Sequence, residues 1–221
     1  MYKLDFSVIL ERLPELLWGS LGTLYLAAAG MTLALIIGVA GVVMRQSHFA
    51  PARIITKAFV ELIRNTPFLV QIFFLFFALP FMGLRLSPTT TAIIALAING
   101  GAYAIEIIRG GVESIHRGQT EAGFALGLSK AQVFRFIILK PALRTIYPAL
   151  VSQFIMLTLT TSICSSISAM ELTFAAQQID ADSFRSIEVY LTITGMYLLI
   201  SWLVMTMFAS IARLSFSYPT K

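Results

Sequence analysis

The sequence predicts an all-α integral membrane protein with five transmembrane helices. Of its 221 residues, 57% are hydrophobic and only 12% are charged, which is about half the charged fraction of a soluble domain. Five apolar runs are long enough to cross a bilayer. They are Trp18–Met44, Pro67–Leu84, Pro88–Ile108, Thr145–Met170 and Val189–Ala212. Pro80 is expected to bend or end the second run, which is the shortest.

The distribution of basic residues predicts the orientation of these spans. Twelve of the 16 Lys and Arg residues fall in connections on one side of the membrane and four on the other. The richer side is expected to face the cytosol, with the N-terminus outside and the C-terminus inside. The cytosolic set is Arg45, Arg53, Lys57, Arg64, Arg109, Arg117, Lys130, Arg135, Lys140, Arg144, Arg213 and Lys221, and the outer set is Lys3, Arg12, Arg85 and Arg185.

Composition also narrows the function classes. In a membrane protein a net charge of +5 indicates basic cytosolic loops rather than nucleic-acid binding. Cys164 is the only cysteine, so no intrachain disulfide can form. The N-terminus mixes acids with bases and lacks the apolar core of a signal peptide. No motif for phosphate binding, metal binding or nucleophilic catalysis occurs, so the sequence predicts no catalytic residue and no metal site.

The longest amphipathic segment, Gly118–Pro141, lies in the predicted cytosolic connection between spans three and four. Its first part predicts a short helix with a small-residue face, ended by Gly127 in the left-handed conformation. Ser129, with Gln132 three residues later, predicts a capping box that starts a second helix. A smooth cytosolic helix fits a groove on a partner protein, although an ordinary loop lying on the membrane surface is equally compatible with the pattern.

Several polar residues lie inside predicted spans. Glu106 is the one acid well inside a span and is a functional candidate, or else it pairs locally with Arg109. Asn99 and Tyr103 are one turn apart and could share a face with Glu106, and Asn99 needs a polar partner. Glu171 is predicted to be an interfacial acid at the outer end of span four.

The fourth span carries nine Ser and Thr residues, among them Thr158, Thr160, Thr161, Ser162 and Ser165. These hydroxyls can bond to backbone carbonyls one turn back, or they can form the wall of a polar passage.

Local patterns also predict how two spans begin and pack. Thr66 is predicted to be the N-cap of span two, with Pro67 in its first turn. Gly30, Ala34 and Gly38 recur every four residues in span one, a spacing that lets helices approach closely in lipid. Packing within the chain is favoured over a dimer seam.

Three motifs together resemble those of bacterial ATP-binding-cassette permeases for polar amino acids. RNTPFLVQ, from Arg64 to Gln71, is similar to their R-G-T-P-x-x-x-Q element, and AYAIEIIRGG, from Ala102 to Gly111, to their A-Y-x-x-E-x-x-R-G-G element. IHRGQTEAGFALG, from Ile115 to Gly127, resembles the cytosolic E-A-A loop of importer permeases. The resemblance covers about residues 19–213. It implies one transmembrane permease domain over residues 1–221, with a cytosolic coupling loop at 110–144.

What the resemblance implies is a type I importer permease whose loop docks on an ATPase subunit. The residues assigned to that coupling are Gly118, Glu121, Ala122, Gly123, Ala125, Leu126 and Gly127. The implied partners are two ATPase subunits, a second permease that is identical or paralogous, a substrate-binding protein outside the membrane, an amino-acid substrate and lipid. ATP and Mg²⁺ are expected on the ATPase subunits, with no cofactor in this chain. The implied location is the bacterial inner membrane.

The sequence departs from the family pattern at three places. Gly123 replaces the usual second alanine of the loop, which is expected to loosen the helix by about 1 kcal/mol. The usual L-P-Q-A reads Leu139–Ala142 as LKPA, with the proline displaced by one position. The frequent K-D-T-S of span four reads LTTS over 159–162, so a hydroxyl stands where an acid could face a substrate ammonium. Either the substrate differs, or a partner permease holds it.

The sequence therefore predicts the membrane subunit of an ATP-driven, binding-protein-dependent importer, which is a transport subunit and not an enzyme. Asn99, Tyr103, Glu106, Thr160 and Ser162 are predicted to line the substrate passage because they are polar within spans three and four. One alternative is a non-transporting membrane scaffold, for which the hydroxyl-rich span has no obvious use. The other alternative is an ion-coupled secondary transporter with Glu106 as the ion site. The lack of an inverted repeat and the presence of only five spans argue against the ion-coupled transporter.

Overall fold

The structure is a computed structural model that describes residues 3–215, so Lys221, counted above as cytosolic, lies outside the described residues. Within that range every regular element is helical, which confirms the predicted all-α class. Four helices are long and apolar enough to cross a membrane, and a bent helix pair makes a fifth span if it is counted as one.

The helices follow one another along the chain without long connections. They are α1 (Ser7–Glu11), α2 (Leu13–Arg45), α3 (Ala50–Arg64), α4 (Phe68–Ala78), α5 (Pro88–Glu113), α6 (Arg117–Ala125), α7 (Lys130–Gln132), α8 (Leu139–Thr160), α9 (Leu172–Ser183) and α10 (Ser186–Ser215). Two 3₁₀ segments follow α4 and α8, at Leu79–Met82 and Thr161–Ile167, and a π-helical segment, Val133–Ile138, joins α7 to α8.

The seam between α2 and α5 is the most extensive helix contact of the fold. The small residues predicted for span one lie in this seam, so they pack within the chain. A β-carbon added to Gly30 would lie 2.8 Å from the β-carbon of Leu96, and one added to Gly38 would lie 2.7 Å from that of Ala104. Distances this short show that glycine lets the two backbones approach closely. The main apolar core forms beside the seam, where α4 and α8 pack against it.

The second span differs from its prediction in length and direction. The predicted run Pro67–Leu84 is helical only over α4 and the 3₁₀ turn that contains Pro80, a length of about 25 Å. Before it, α3 meets α4 at an angle of 107°. Thr66 is not the N-cap of α4, because Pro67 occupies that position. The Thr66 hydroxyl instead donates to the Leu62 carbonyl at 2.9 Å and so belongs to the end of α3.

The fourth span begins earlier than predicted. Helical structure continues from Lys130 through the π segment and α8 to Ile167, over 38 residues. The second helix of the cytosolic segment therefore runs directly into the membrane. Pro141 gives a reason for the wide π turn, because it lacks the N–H that would bond the Ile137 carbonyl and its ring displaces that group.

The connection between the fourth and fifth predicted spans, residues 172–188, contains the helix α9. One face of α9 is buried through Leu172, Ala176 and Ile179, which are spaced for a helix. Residues near the N-terminus pack at the same end of the bundle. Arg12 pairs with Asp182 at 2.5 Å, and hydrogen bonds to Glu15 and then Asp182 raise the pKa of the Arg12 guanidinium.

Candidate functional site

The predicted coupling helix is present as α6, and its ends have the predicted local geometry. Gly127 has a φ of 78°. The Leu128 amide donates to the Gly123 carbonyl at 3.1 Å and the Gly127 amide to the Phe124 carbonyl at 2.9 Å, which is a Schellman motif. The next helix starts with the predicted capping box, in which the Ser129 amide donates to Gln132 Oε1 at 2.8 Å.

The faces of α6 divide the predicted coupling residues into two groups. Glu121, Ala122, Ala125 and Leu126 are exposed, Leu126 by 80%, and we call these four residues, after their predicted role, the coupling surface. Gly123 is buried against the π segment. A β-carbon there would lie 2.5 Å from Ile137 Cδ1 and 3.0 Å from Val133 Cγ2. Gly123 therefore brings α6 close to the helix that enters the membrane.

Three of the five predicted passage residues line one cavity of about 350 Å³ between α4, α5 and α8. Asn99 and Tyr103 come from α5 and Thr160 from the end of α8. Thr66 and Gln153 add polar groups that the sequence reading missed. Gln153 could have been predicted from the sequence, because an amide side chain inside an apolar span is a candidate for the lining of a polar cavity. The cavity volume is at the lower end of the range for small-molecule sites.

The polar partner that Asn99 needs is Gln71, the last residue of the first motif. Asn99 Nδ2 donates to Gln71 Oε1 at 3.1 Å. Gln71 Nε2 in turn donates to the Ile63 carbonyl at 2.7 Å and to both the carbonyl and the hydroxyl of Thr66. Gln71 therefore joins the end of α3, the start of α4 and the middle of α5, and we call these contacts the Gln71 bracket.

Tyr103 also lines a second cavity, nearer the end of α3. The second cavity has a volume of about 260 Å³ and is lined by Val60, Glu61, Arg64, Asn65 and Tyr103. The Arg64 guanidinium carbon lies 5.2 Å from the centre of the Tyr103 ring, within the range of a cation–π contact. The first and second motifs thus meet at this pair.

Glu106 does not lie in either cavity. Its carboxylate forms ion pairs with Arg45 of α2 and with Arg109, the latter at 2.7 Å, and Arg109 also pairs with Glu113. The predicted local pair with Arg109 is present, and Arg45 is an additional partner that sequence spacing could not indicate. The cluster links the C-terminal end of α2 to the C-terminal part of α5.

Most hydroxyls of the fourth span bond to carbonyls of their own helix. Ser162 donates to the Leu159 carbonyl at 2.8 Å and does not line the cavity. Thr158, Thr161 and Ser165 likewise donate to carbonyls three or four residues earlier. Thr160 also bonds back to Met156, but its side chain lines the cavity. Backbone bonding therefore accounts for most of this hydroxyl-rich segment.

Glu171 is not an interfacial acid, because its side chain is only 1% exposed. It caps α9 by accepting from the Phe174 amide at 2.7 Å, and it accepts from the Tyr197 hydroxyl at 2.6 Å and from Thr23 at 3.4 Å. The three donors satisfy a carboxylate that would otherwise be costly to bury. Sequence reasoning missed this role because the donors come from three separate helices.

The chain is similar to known transport proteins over most of its length. Residues 30–215 match the family described as binding-protein-dependent transport system inner membrane component. The chain is 40% identical over 201 residues to the glutamine transport system permease protein GlnP of Escherichia coli (strain K12), covering 90% of this chain and 92% of that protein. It is 34% identical to the nopaline transport system permease protein NocM of Agrobacterium fabrum, covering 91% of this chain and 88% of that one.

A solved structure agrees with the sequence relatives. The chain superposes on a crystal structure of an amino acid ABC transporter with histidines with a TM-score of 0.90 and 30% identity, covering 96% of this chain and 99% of that chain. An inward-facing MetNI methionine ABC transporter shares the fold at 18% identity, with a TM-score of 0.72. The family match covers far more than half of the chain, and the relatives match it almost end to end. The chain therefore belongs to the family of binding-protein-dependent transport system inner membrane components, as a membrane-spanning permease.

Proposed function

We propose that this permease imports polar amino acids or closely related compounds across the bacterial inner membrane. The observation that carries the proposal is the near full-length similarity to permeases named for glutamine and nopaline transport. The chain itself performs no bond-making chemistry. Energy comes from two ATPase subunits that bind ATP with Mg²⁺, and a binding protein delivers substrate from outside.

The proposed passage includes the cavity lined by Asn99, Tyr103 and Thr160. Polar groups on an otherwise apolar wall suit a zwitterionic substrate, since they can hydrogen-bond its charged groups while the wall excludes water. Thr160 stands at the position where the family pattern has an acid. A hydroxyl there favours a substrate without a cationic side chain, or a second, unequal permease subunit that supplies the acid.

The proposed coupling runs from α6 into the membrane. The ATPase subunit contacts the coupling surface, where the small side chains of Ala122 and Ala125 allow close docking. Gly123 packs against the π segment, and that segment continues into α8. Closure of the ATPase pair would then move α8 as a near-rigid element and change access to the cavity.

The ion-coupled alternative, with Glu106 as the ion site, is set aside. The chain belongs to a binding-protein-dependent family, for which we propose that ATP hydrolysis on partner subunits, and not an ion gradient, supplies the energy. The Glu106 carboxylate is also occupied by two arginine partners, which leaves it poorly placed to bind and release an ion.

The experiment is copurification followed by reconstituted uptake. The chain is tagged in its native host and extracted in mild detergent, and its partners are identified by mass spectrometry. We expect an ATPase, alone or with a second permease, and ATP-dependent uptake of glutamine or a related amino acid in proteoliposomes that contain the binding protein. Recovery without an ATPase under several gentle conditions would contradict the coupling proposal.

A charge reversal at Glu121 tests the role of α6 directly. Glu121→Arg is expected to reduce ATPase recovery and uptake to background while leaving the amount of chain in the membrane unchanged. The matched control is Lys3→Glu, a charge reversal on an exposed residue at the opposite end of the molecule. Normal uptake by Glu121→Arg would show that α6 does not couple the ATPase to transport.

A further inference from the structure

α3 has three faces of different chemistry along its 15 residues. The first is charged, because Arg53, Lys57, Glu61 and Arg64 recur at helical spacing and fall within one side of the helix. Three of these four residues are basic. This face therefore carries a net positive charge.

The second face of α3 is buried against the protein, and the third is apolar but exposed. Thr56 and Val60 form the buried side. Ile54, Ile55, Ala58 and Leu62 form an exposed strip next to the charged face, and Ile54 is 67% and Leu62 64% exposed. We call these four residues the α3 strip. Aliphatic side chains in this number seldom face water along one helix.

The angle between α3 and α4 determines what surrounds these faces. α4 belongs to the membrane bundle, and α3 meets it at 107°, so α3 runs close to the membrane plane. α3 follows the end of α2, whose Arg45 pairs with the end of α5. By the distribution of basic residues this end is cytosolic. α3 therefore lies at the boundary between lipid and cytosol.

The basic residues of the charged face keep most of their positive charge. Arg53 donates to the carbonyls of Ser47 and His48 at 3.0 and 3.2 Å and is in no ion pair among residues 3–215. Lys57 is 3.7 Å from Glu61, with both side chains more than 60% exposed, an arrangement in which pairing is weak. An anionic group can therefore gain from contact with both cations.

We infer that α3 is an interfacial helix that binds anionic phospholipid headgroups of the cytosolic leaflet through Arg53 and Lys57. The α3 strip lies among the upper acyl chains, and the charged face meets headgroups and water. A basic face beside an aliphatic face is the pattern of helices that lie in this boundary. Anionic lipid is favoured over neutral lipid because each basic residue near the surface adds to the attraction.

The first experiment locates the α3 strip relative to lipid. Single cysteines at Ile54 and Leu62 are labelled with a fluorophore in the full-length chain, purified with its accompanying subunits and placed in nanodiscs. Cys164 is buried, so labelling within this chain is selective for the introduced site, and the unmodified chain with its subunits gives the background from the other subunits. Brominated acyl chains are expected to quench both labels, and a label at the control Glu61→Cys is expected to be quenched by aqueous iodide instead. Shielding of Ile54 and Leu62 from both quenchers would mean that a protein partner covers the strip, and it would overturn the inference.

The second experiment tests the preference for anionic headgroups. Nanodiscs contain brominated phosphatidylglycerol with plain phosphatidylcholine, or the reverse, at equal mole fractions. Preferential quenching of the Ile54→Cys label by the anionic lipid is expected, with a selectivity of about fivefold for each basic residue. The double variant Arg53→Gln/Lys57→Gln should quench equally with both lipids, whereas Arg213→Gln, a basic residue outside α3, should keep the preference. Equal quenching in the unmodified chain would refute the anionic preference.

Discussion

Removal of the Gln71 amide tests whether one side chain holds the bend between α3 and α4. In Gln71→Leu the size of the side chain is nearly kept, but the Ile63 and Thr66 carbonyls lose their donor and Asn99 loses its acceptor. Each unsatisfied group costs about 1–3 kcal/mol when buried. These groups are half-buried and can partly hydrate through the cavity, so the lower end of that range applies. The expected loss is about 3 kcal/mol of unfolding free energy.

The assay is thermal unfolding of the purified chain in detergent. A loss of this size corresponds to a Tm lower by about 6–12 °C for a chain of this length. Gln71→Glu tests the donor role of Gln71 separately, because a carboxylate still accepts a hydrogen bond from Asn99 but cannot donate to the Ile63 and Thr66 carbonyls. It is expected to destabilise at least as much as Gln71→Leu.

Gln153→Leu is the matched control, since Gln153 lines the same cavity without bridging α3, α4 and α5. Its Tm should stay close to that of the unmodified chain. If Gln71→Leu had the same Tm as the unmodified chain, packing would hold the bend, and the Gln71 bracket would make no measurable contribution to stability.

Three further predictions concern the passage, the ion-pair cluster and the helix seam. Thr160→Cys should react with a water-soluble thiol reagent in at least one nucleotide state, and Thr158→Cys, which replaces a fully buried residue, should react at least about tenfold more slowly; equal rates would place the passage elsewhere. Glu106→Gln leaves two half-buried arginines without their shared carboxylate, so it should lower stability by about 2 kcal/mol while uptake by the remaining folded protein persists, whereas an ion site would lose uptake at unchanged stability. Gly38→Val places a branched side chain against Ala104 and should cost about 1–3 kcal/mol, measured as a lower Tm; an unchanged Tm would mean that α2 and α5 separate easily.

Features encoded by neighbouring residues were predictable from the sequence. The capping box at Ser129 and Gln132 and the left-handed Gly127 are confirmed, because both depend on backbone groups within one turn. The close seam of span one is also confirmed, since only small residues at a spacing of four allow it. The family resemblance then supplied the expected role of the cytosolic loop and the expected partners, which local patterns do not contain.

Contacts between helices distant in sequence were not predictable. The sequence showed that Asn99 needs a partner, but nothing in it indicated Gln71, because the pairing depends on how α4 and α5 are rotated against each other. Arg45 meets Glu106 across the α2–α5 seam for the same reason. Hydrophobic periodicity reports which side of a helix is apolar, and it leaves open which polar groups meet.

Breaks in helices were the other source of error. Thr66 before Pro67 had the pattern of an N-cap, yet the chain ends one helix there and begins another at a steep angle. The apolar spacing of α9 is present in the sequence. The fourth span was nevertheless predicted to continue to Met170, because the hydroxyl-rich run carries no charge, so the helix that starts at Leu172 was not recognised. A buried acid at that junction can be recognised only when its three donors are in place.

The continuous helical stretch from Lys130 to Ile167 is long enough to connect two distant levels of the molecule. Its 38 residues correspond to about 57 Å, nearly twice the thickness of the hydrocarbon layer. One continuous helical stretch therefore extends from beside α6 to the level of the cavity lined by Thr160. Over that length, a tilt of a few degrees at the end that packs beside Gly123 corresponds to a displacement of several ångströms at the far end. A small movement at one end of this stretch can in this way become larger at the other end through length alone.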